Sequence, residues 1–422
     1  MRGGSATPSI GSGAPGPEAS RWRVIASGFT FMSVSLGVSC AVAYGTIFYS
    51  FAILAPAIMA DFGWSSALVY GAFSAALAGG GLASPLMGRL IDRFGARPVM
   101  STGSVLVSLL LAALSTVGTP FAFVALQFLM LFAGVLILYD AAFAALAENH
   151  GIGARAQISV ITLIAGFSST LFWPLTSWLL ASFGWRGTYL ALAGITLALT
   201  LPVHLLLPSR AKIAARQMQA SGRFAPELPP LDPAERRRAV IIMAIAFSCG
   251  SFTIMAVQAH YPRLLLEAGF GAAGAAFFAG CIGPFQVSAR LVDMVFAQKY
   301  HPVRVGTIAT LSMALGVTVL FFLAAGPTAA ILFAVFYGAG QGMAHILWGN
   351  VPLALFGPKG YARLSGNLGS MRLLVGSAAP LAVALAGEHL GSGAGTALIV
   401  AVAGLGFLMI LPLLRYVRSQ PS

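Results

Sequence analysis

The chain has 422 residues, of which 58% are hydrophobic and only 8% charged, with a mean hydropathy of +0.88 and a formal net charge of +13. A water-soluble domain carries about 25% charged residues, so this composition excludes one. The excess of positive charge invites a nucleic-acid reading, which the placement of the charges, taken up below, removes.

Residues 1–20 are mainly Gly, Ser, Pro and Ala and cannot bury enough apolar surface to order themselves, so they read as a disordered tail. Twelve apolar stretches follow, at about 24–52, 66–87, 99–117, 121–146, 157–181, 188–207, 239–261, 271–296, 304–325, 328–352, 366–386 and 395–415. Each is long enough to cross a bilayer core of about 30 Å as a helix. Their continuity does not fit the short alternating strands of an outer-membrane barrel. The predicted fold class is therefore an all-α integral membrane protein with twelve transmembrane helices.

The first charged turn, Gly88-Arg89-Leu90-Ile91-Asp92-Arg93-Phe94-Gly95-Ala96-Arg97-Pro98, lies between the second and third stretches. A reduced copy, Ala289-Arg290-Leu291-Val292-Asp293, ends the eighth. Residues 208–238 form the one long polar interruption, rich in Pro and Arg, and read as a linker. It divides the chain into a six-helix unit at 21–207 and a second at 239–418. The halves align at independent anchors. Cys40 matches Cys249, and Ile137-Leu138-Tyr139-Asp140 matches Ile346-Leu347-Trp348-Gly349 at the same separation. Small residues at Gly71, Ala75, Gly79 and Ala83 recur at Gly271, Ala275, Ala279 and Gly283. Such faces let helices approach closely in lipid.

Of the 24 Lys and Arg residues, only Arg186 and Arg263 fall in loops on the far side, with Arg290 and Arg372 in or near spans. The rest gather on one side. This bias predicts that both termini are cytoplasmic, and it accounts for the net charge by topology and contact with membrane lipid, with no nucleic acid involved.

The 88–98 turn resembles the signature between spans 2 and 3 of the major facilitator superfamily, matching at Gly88, Leu90, Asp92, Arg93, Gly95 and Arg97, with Ala96 where the family often has a basic residue. The resemblance implies two pseudo-symmetric six-helix bundles, a transporter working as a monomer, and a role for Gly88, Asp92, Arg93, Gly95 and Arg97 as a latch in the outward-open state. Asp61-Phe62-Gly63-Trp64-Ser65 and Phe183-Gly184-Trp185-Arg186 are similar to stretches in bacterial members of the monocarboxylate-transporter and oxalate/formate-exchanger branch, which implies a bacterial inner membrane. Gly283-Pro284-Phe285-Gln286-Val287-Ser288-Ala289-Arg290 resembles the branch's span-8 stretch, where an Asp precedes the substrate-binding Arg by four residues. Here Gln286 replaces that Asp, and Thr46 stands about where eukaryotic members have a lysine.

Charge inside a span costs at least about 2.5–3.5 kcal/mol at the bilayer centre, so each instance needs a partner or a purpose. Arg372 has no acid near it in sequence on its own side. An anionic substrate would satisfy its guanidinium, and the resemblance supports cationic residues in spans 8 and 11 for that role. Arg290, Arg372, Gln286 and Tyr44 are accordingly the candidate substrate-binding residues. Asp140, the one acid well inside a predicted span, and His345 are the candidates for a coupling proton. Asp140 equally fits the neutralisation of a structural arginine.

No P-loop, catalytic triad or metal-spaced His/Cys/carboxylate cluster is present, so the chain reads as a non-enzyme without cofactor, driven by a gradient. The expected substrate is a small organic anion such as a monocarboxylate. The alternatives are export of a drug or of a trivalent metalloid held by Cys40, Cys249 and Cys281, import of a larger nutrient such as a vitamin, and a non-transporting sensor.

Overall fold

The computed structural model describes residues 28–219, 232–296, 299–391 and 393–417. The tail at 1–20 and the centre of the 208–238 linker lie outside the described residues. Within them the regular structure is helical, with no strand. The helices are α1 (Phe31–Tyr44), α2 (Ser50–Phe62), α3 (Ser66–Phe94), α4 (Ala96–Leu114), α5 (Pro120–Gly134), α6 (Tyr139–His150), α7 (Ala154–Ala165), α8 (Ser168–Leu205) and α9 (Arg210–Gln219) in the first half. The second half holds α10 (Pro233–Glu267), α11 (Ala272–Gly280), α12 (Ile282–Phe296), α13 (Pro302–Thr318), α14 (Pro327–Phe356), α15 (Tyr361–Leu390) and α16 (Ala394–Ile410).

Among the described residues, nine helical runs are long and apolar enough to cross a membrane. One of them, residues 154–214, holds two crossings. Phe172 and Thr196 both meet the short stretch at Gly45 and Thr46, which a straight 24-residue helix of about 36 Å does not permit. The chain turns back at Gly184, whose φ of 66° is open to glycine. The 29-residue α3 and the pair α11–α12, broken at Cys281, supply two more. Twelve crossings result, as the sequence leads one to expect.

Local chemistry sets the ends. Thr30 and Ser33 form a reciprocal capping box that starts α1. The first crossing runs ten residues past its expected end, through a π turn at Gly45–Tyr49 and on to Phe62. There Asp61 accepts from Trp185 Nε1 at 3.0 Å and from Arg186 Nη1 at 2.8 Å, while Arg186 lies over the Phe62 and Trp185 rings. The two sequence stretches containing Asp61 and Trp185-Arg186 are thus one clasp.

The fourth crossing, expected to be continuous, is broken at Val135–Leu138. Tight turns satisfy the backbone through this break, with Leu136 N–H donating to Ala133 O at 3.1 Å and Ile137 N–H to Gly134 O at 2.9 Å. The linker contributes α9, a helix its proline and charge content did not announce.

Four main apolar cores hold the bundles. One packs residues of α1 to α8 alone, and two pack residues of α10 to α16 alone. The fourth is shared: Met87, Ile91, Met100 and Phe143 of the first half bury Leu353, Tyr361 and Ala362 of the second. A small satellite joins Val160 and Leu163 to Met294. These shared contacts sit at the end of the molecule that carries the charged turns. The bundles therefore meet at that end and have separate cores at the other.

The closest approach is between α3 and α15. A Cβ on Gly366 would fall on the Ser84 carbonyl, and one on Gly88 would fall on the Ala362 carbonyl. Small residues substitute for hydrophobic drive where lipid offers none. The sequence offered a small-residue face for close helix packing at Gly71, Ala75, Gly79 and Ala83, without naming its partner. Gly79 packs on Phe128 of α5 within its own bundle, and the bundle-to-bundle face is Gly81, Ser84 and Gly88.

Gly366→Val should force α3 from α15. In a chain lacking its native cysteines, a Ser84→Cys probe, fully buried in the parent, is expected to react with maleimide several-fold faster when Gly366→Val is added. Unchanged labelling would show that this approach does not close the charged end.

Candidate functional site

The break at Val135–Leu138 matters because it starts a new helix. Asp140 falls in the first turn of α6, where the partial positive charge of the helix N-terminus favours a carboxylate. Arg372 lies 11 residues into α15, about 17 Å along its axis. The helix begins five residues before its expected start. Arg372 Nη2 donates to Asp140 Oδ2 at 2.8 Å, with the side chains 11% and 13% exposed. Ser365 Oγ lies 3.4 Å from the other carboxylate oxygen. The Trp348 ring covers the guanidinium, 4.0 Å from Cζ to the ring centroid. Arg372 is thus held by a charge from one bundle and an aromatic face from its own.

The pair borders a cavity of about 40 Å³ between the bundles, lined by Tyr44, Phe48, Leu138, Asp140, Arg372 and Leu373 among others. That is room for a water or two in this conformation. Aromatic rings continue the wall. Tyr44 stacks on Phe48 at 5.3 Å and meets Tyr139 at 4.6 Å, Tyr139 meets His345 at 5.7 Å, and His345 meets Trp348 at 4.7 Å. The π turn of the first crossing follows Tyr44 directly. π segments that interrupt helices are frequent at functional sites. The His345 ring is buried near the Gln341 carbonyl of its own helix, and the charges of Arg290 and Arg372 both reach it.

Arg290 is 4% exposed and its reach is taken up by main chain. Nε donates to the Gly342 carbonyl at 3.1 Å, and Nη1 donates to the Thr162 carbonyl of the other bundle at 3.0 Å. Gly166 leaves the space the guanidinium fills. One helical turn on, Asp293 accepts from Ser159 Oγ at 3.0 Å, close to the charge of Arg155. Beyond the membrane, burial and then the Arg155 and Arg304 charges push the His301 imidazole down to about 4, so it is neutral near pH 7. Arg290 and Arg372 therefore flank His345 and do not converge on one point. The main chain of Gln286 packs against Gly342, and its side chain is half-buried.

The charged turn is itself a bound structure. The Asp92 carboxylate takes the Arg363 amide in the first turn of α15, joining the bundles; burial raises its pKa, and that amide with the nearby arginines draws it back. Arg210 of α9 donates to Glu148 at 3.1 Å, to the Arg93 carbonyl at 3.0 Å and to the Asp92 carbonyl. Glu148 also takes the Ala96 amide at the start of α4, and Gly95 makes the corner at φ 87°. Arg93 leans on Phe94, and Arg97 stands in the first turn of α4.

Cys40 packs in the shared core, Cys249 lies against Gly406 and Cys281 sits at the α11–α12 break. All three are free, and among the described residues no group of three His, Cys, Asp or Glu is placed to hold a metal.

The sequence did not single out Trp348 or Ser365, and named Tyr139 only beside Asp140. A signal was present for two of them, because Tyr139 and Trp348 are matching positions in the internal repeat.

A twelve-crossing, two-bundle helical protein with a polar site between its halves is a membrane transporter by architecture. The Major Facilitator Superfamily profile matches residues 36–380, and the chain belongs to that family. Monocarboxylate transporter 11 of Mus musculus is 28% identical over 378 residues, covering 85% of this chain and 73% of that protein. Its Homo sapiens counterpart is 31% identical over 286 residues, covering 64% and 55%. Among solved structures, the human organic anion transporter MFSD10 (TETRAN) aligns with a TM-score of 0.67 at 15% identity, over 92% of this chain and 99% of that one. The proton:xylose symporter XylE gives 0.68 at 15% identity, over 95% and 96%. FucP, described as in the outward conformation, gives 0.68 at 13%, over 93% and 100%. At these identities the structures establish the fold alone.

Breaking a buried ion pair by removing one partner strands the other charge, at about 3–5 kcal/mol. Asp140→Asn and Arg372→Gln should each lower the unfolding midpoint, and the double variant should lose clearly less than their sum. Additive losses in a thermal melt of the purified protein would mean that the two side chains do not act as a pair.

Proposed function

We propose that this transporter moves a small organic anion, with monocarboxylates as the favoured class, and that Arg372 receives the carboxylate. The observation that carries this is the Asp140–Arg372 pair itself. At the wall of the central cavity, a guanidinium backed by Trp348 already holds one carboxylate. An incoming carboxylate of the same geometry replaces Asp140 without leaving Arg372 unpaired. The displaced Asp140 must then take a proton or meet water, which makes it the favoured coupling site. His345, between the two arginines, is the other candidate. The names of the relatives, a monocarboxylate transporter and an organic anion transporter, support the same class.

In this reading the two charged turns are gates. Closure at their end involves Gly88, Asp92, Arg93, Gly95 and Arg97 on one flank, with Arg290 and Asp293 on the other. The bias of Lys and Arg supports placing that end in the cytoplasm, together with both termini, and the resemblance to bacterial proteins supports a bacterial inner membrane. The conformation is then outward-facing. Arg290 acts here as a strut to the Thr162 carbonyl and becomes available to substrate when that contact opens. Gln286 and Tyr44 line its approach. The protein works as a monomer, since each chain carries both bundles.

The test is uptake of labelled monocarboxylates into proteoliposomes. Arg372→Gln, studied alone and in the Asp140→Asn background, should lower kcat/KM by about 10- to 100-fold, the worth of a hydrogen bond to a charged group. Asp140→Asn should retain anion exchange but lose accumulation driven by a proton gradient. Undiminished anion uptake by Arg372→Gln would remove Arg372 as the carboxylate site, and a parent protein that moves no carboxylate would remove the anion reading.

A further inference from the structure

A second cavity lies inside the C-terminal bundle, between α10, α13, α14 and α16. It measures about 20 Å³, and its walls include Phe247, Met313, Ala344, Leu347, Trp348 and Ile410. The one hydroxyl on its lining, Thr310 Oγ1, is bonded within its own helix to the Gly306 carbonyl at 2.9 Å and the Thr307 carbonyl at 3.2 Å. The lining is therefore almost wholly apolar. Gly250 leaves part of the space open, since a Cβ there would meet nothing within 4 Å.

Trp348 belongs to both this chamber and the central site. It lines the chamber, and its ring lies 4.0 Å from the Arg372 guanidinium carbon. The indole therefore stands between the chamber and the guanidinium that lines the central cavity. A carboxylate held by Arg372 has Trp348 beside it, and apolar volume lies behind that wall. Trp348 also contacts His345, whose ring is 4.7 Å away, so the indole is braced on its own helix.

We infer that Trp348 sets the upper chain length of the transported carboxylate, by denying its hydrocarbon tail the apolar chamber between α10, α13, α14 and α16. The inference rests on the anion reading and deepens it. The native substrate is a short-chain carboxylate, whose few carbons stay in the central cavity. Shortening residue 348 joins the two spaces and lets a longer tail pass beside Arg372 into the C-terminal bundle. Tail burial then contributes to affinity in proportion to the methylenes it removes from water.

The experiment compares kcat/KM for propionate and hexanoate in proteoliposomes. The long-to-short ratio is read within each protein, because loss of the ring from Arg372 lowers all rates together. Trp348→Ala should raise the ratio about fourfold per methylene, or roughly 60-fold over three. Trp348→Leu, which keeps the position filled, should move it less in the same direction and guards against loss of folding in the alanine variant. Adding Gly250→Leu to Trp348→Ala refills the chamber from its other wall and should abolish the gain. An unchanged ratio in both Trp348 variants, or a gain that survives Gly250→Leu, overturns the inference. A parent protein that moves propionate while its variants keep the parental ratio overturns this inference alone. A parent protein that moves no carboxylate overturns the anion reading, and this inference with it.

Discussion

The rest of the site depends on one ion pair that joins the two bundles inside the membrane. A lone guanidinium or carboxylate at that depth is expensive, and Asp140 and Arg372 each remove the other's cost. Local structure was bent to make the meeting possible. The fourth crossing gives up its continuity at Val135–Leu138, so that Asp140 opens a helix and gains the favourable end of its dipole. Trp348 supplies a π face where water would otherwise solvate the cation. A pair with a residue on each bundle also reports their relative position, because neither bundle can move far without separating the charges.

The closed end uses two different physical devices for one task. Between α3 and α15 closure comes from the absence of side chains, with Gly88 and Gly366 letting backbones meet. Between α7 and α12 it comes from a buried arginine satisfied by carbonyls of both bundles, beside an aspartate satisfied by a serine across the same seam. The internal repeat explains why both places are charged, and its decay explains why they differ. Arg89, in the first copy, is exposed and reaches only the Pro85 carbonyl of its own helix, whereas Arg290, in the second, is buried. The same decay appears at the centre. Asp140 has Gly349 as its repeat partner, and a Cβ there would strike Phe143. The carboxylate is thus on one bundle only, and the cation that answers it is on the other.

The end opposite the charged turns has its own organisation. Asp61, Trp185 and Arg186 tie the ends of two crossings in the N-terminal bundle through a shared carboxylate and stacked rings. This clasp stays within one bundle and helps that half move as a unit. Arg210 does a comparable job at the charged end, fastening the start of the linker to the 88–98 turn through Glu148 and two carbonyls. The linker is therefore attached at the charged turn itself.

Much of this was legible in the chain alone. Continuous apolar runs of about 20 residues admit few structures in a bilayer, because each backbone amide must find its partner within the segment. That constraint is local, so the number and order of crossings, the two halves and the one-sided positive charge could be read residue by residue. The same rule of cost made Asp140, His345, Arg290 and Arg372 visible as candidates. What it could not supply was their pairing. Arg372 finds Asp140 across 232 positions of sequence, and Arg290 finds the carbonyls of Thr162 and Gly342, which no residue type announces. The break before Asp140, the helix in the linker and the contact of Trp348 with Arg372 were likewise decided by packing between distant segments. Hydropathy records what each residue loses by leaving water. Only the folded bundle determines which group compensates that loss, because the compensation is a distance and an angle between side chains from different helices.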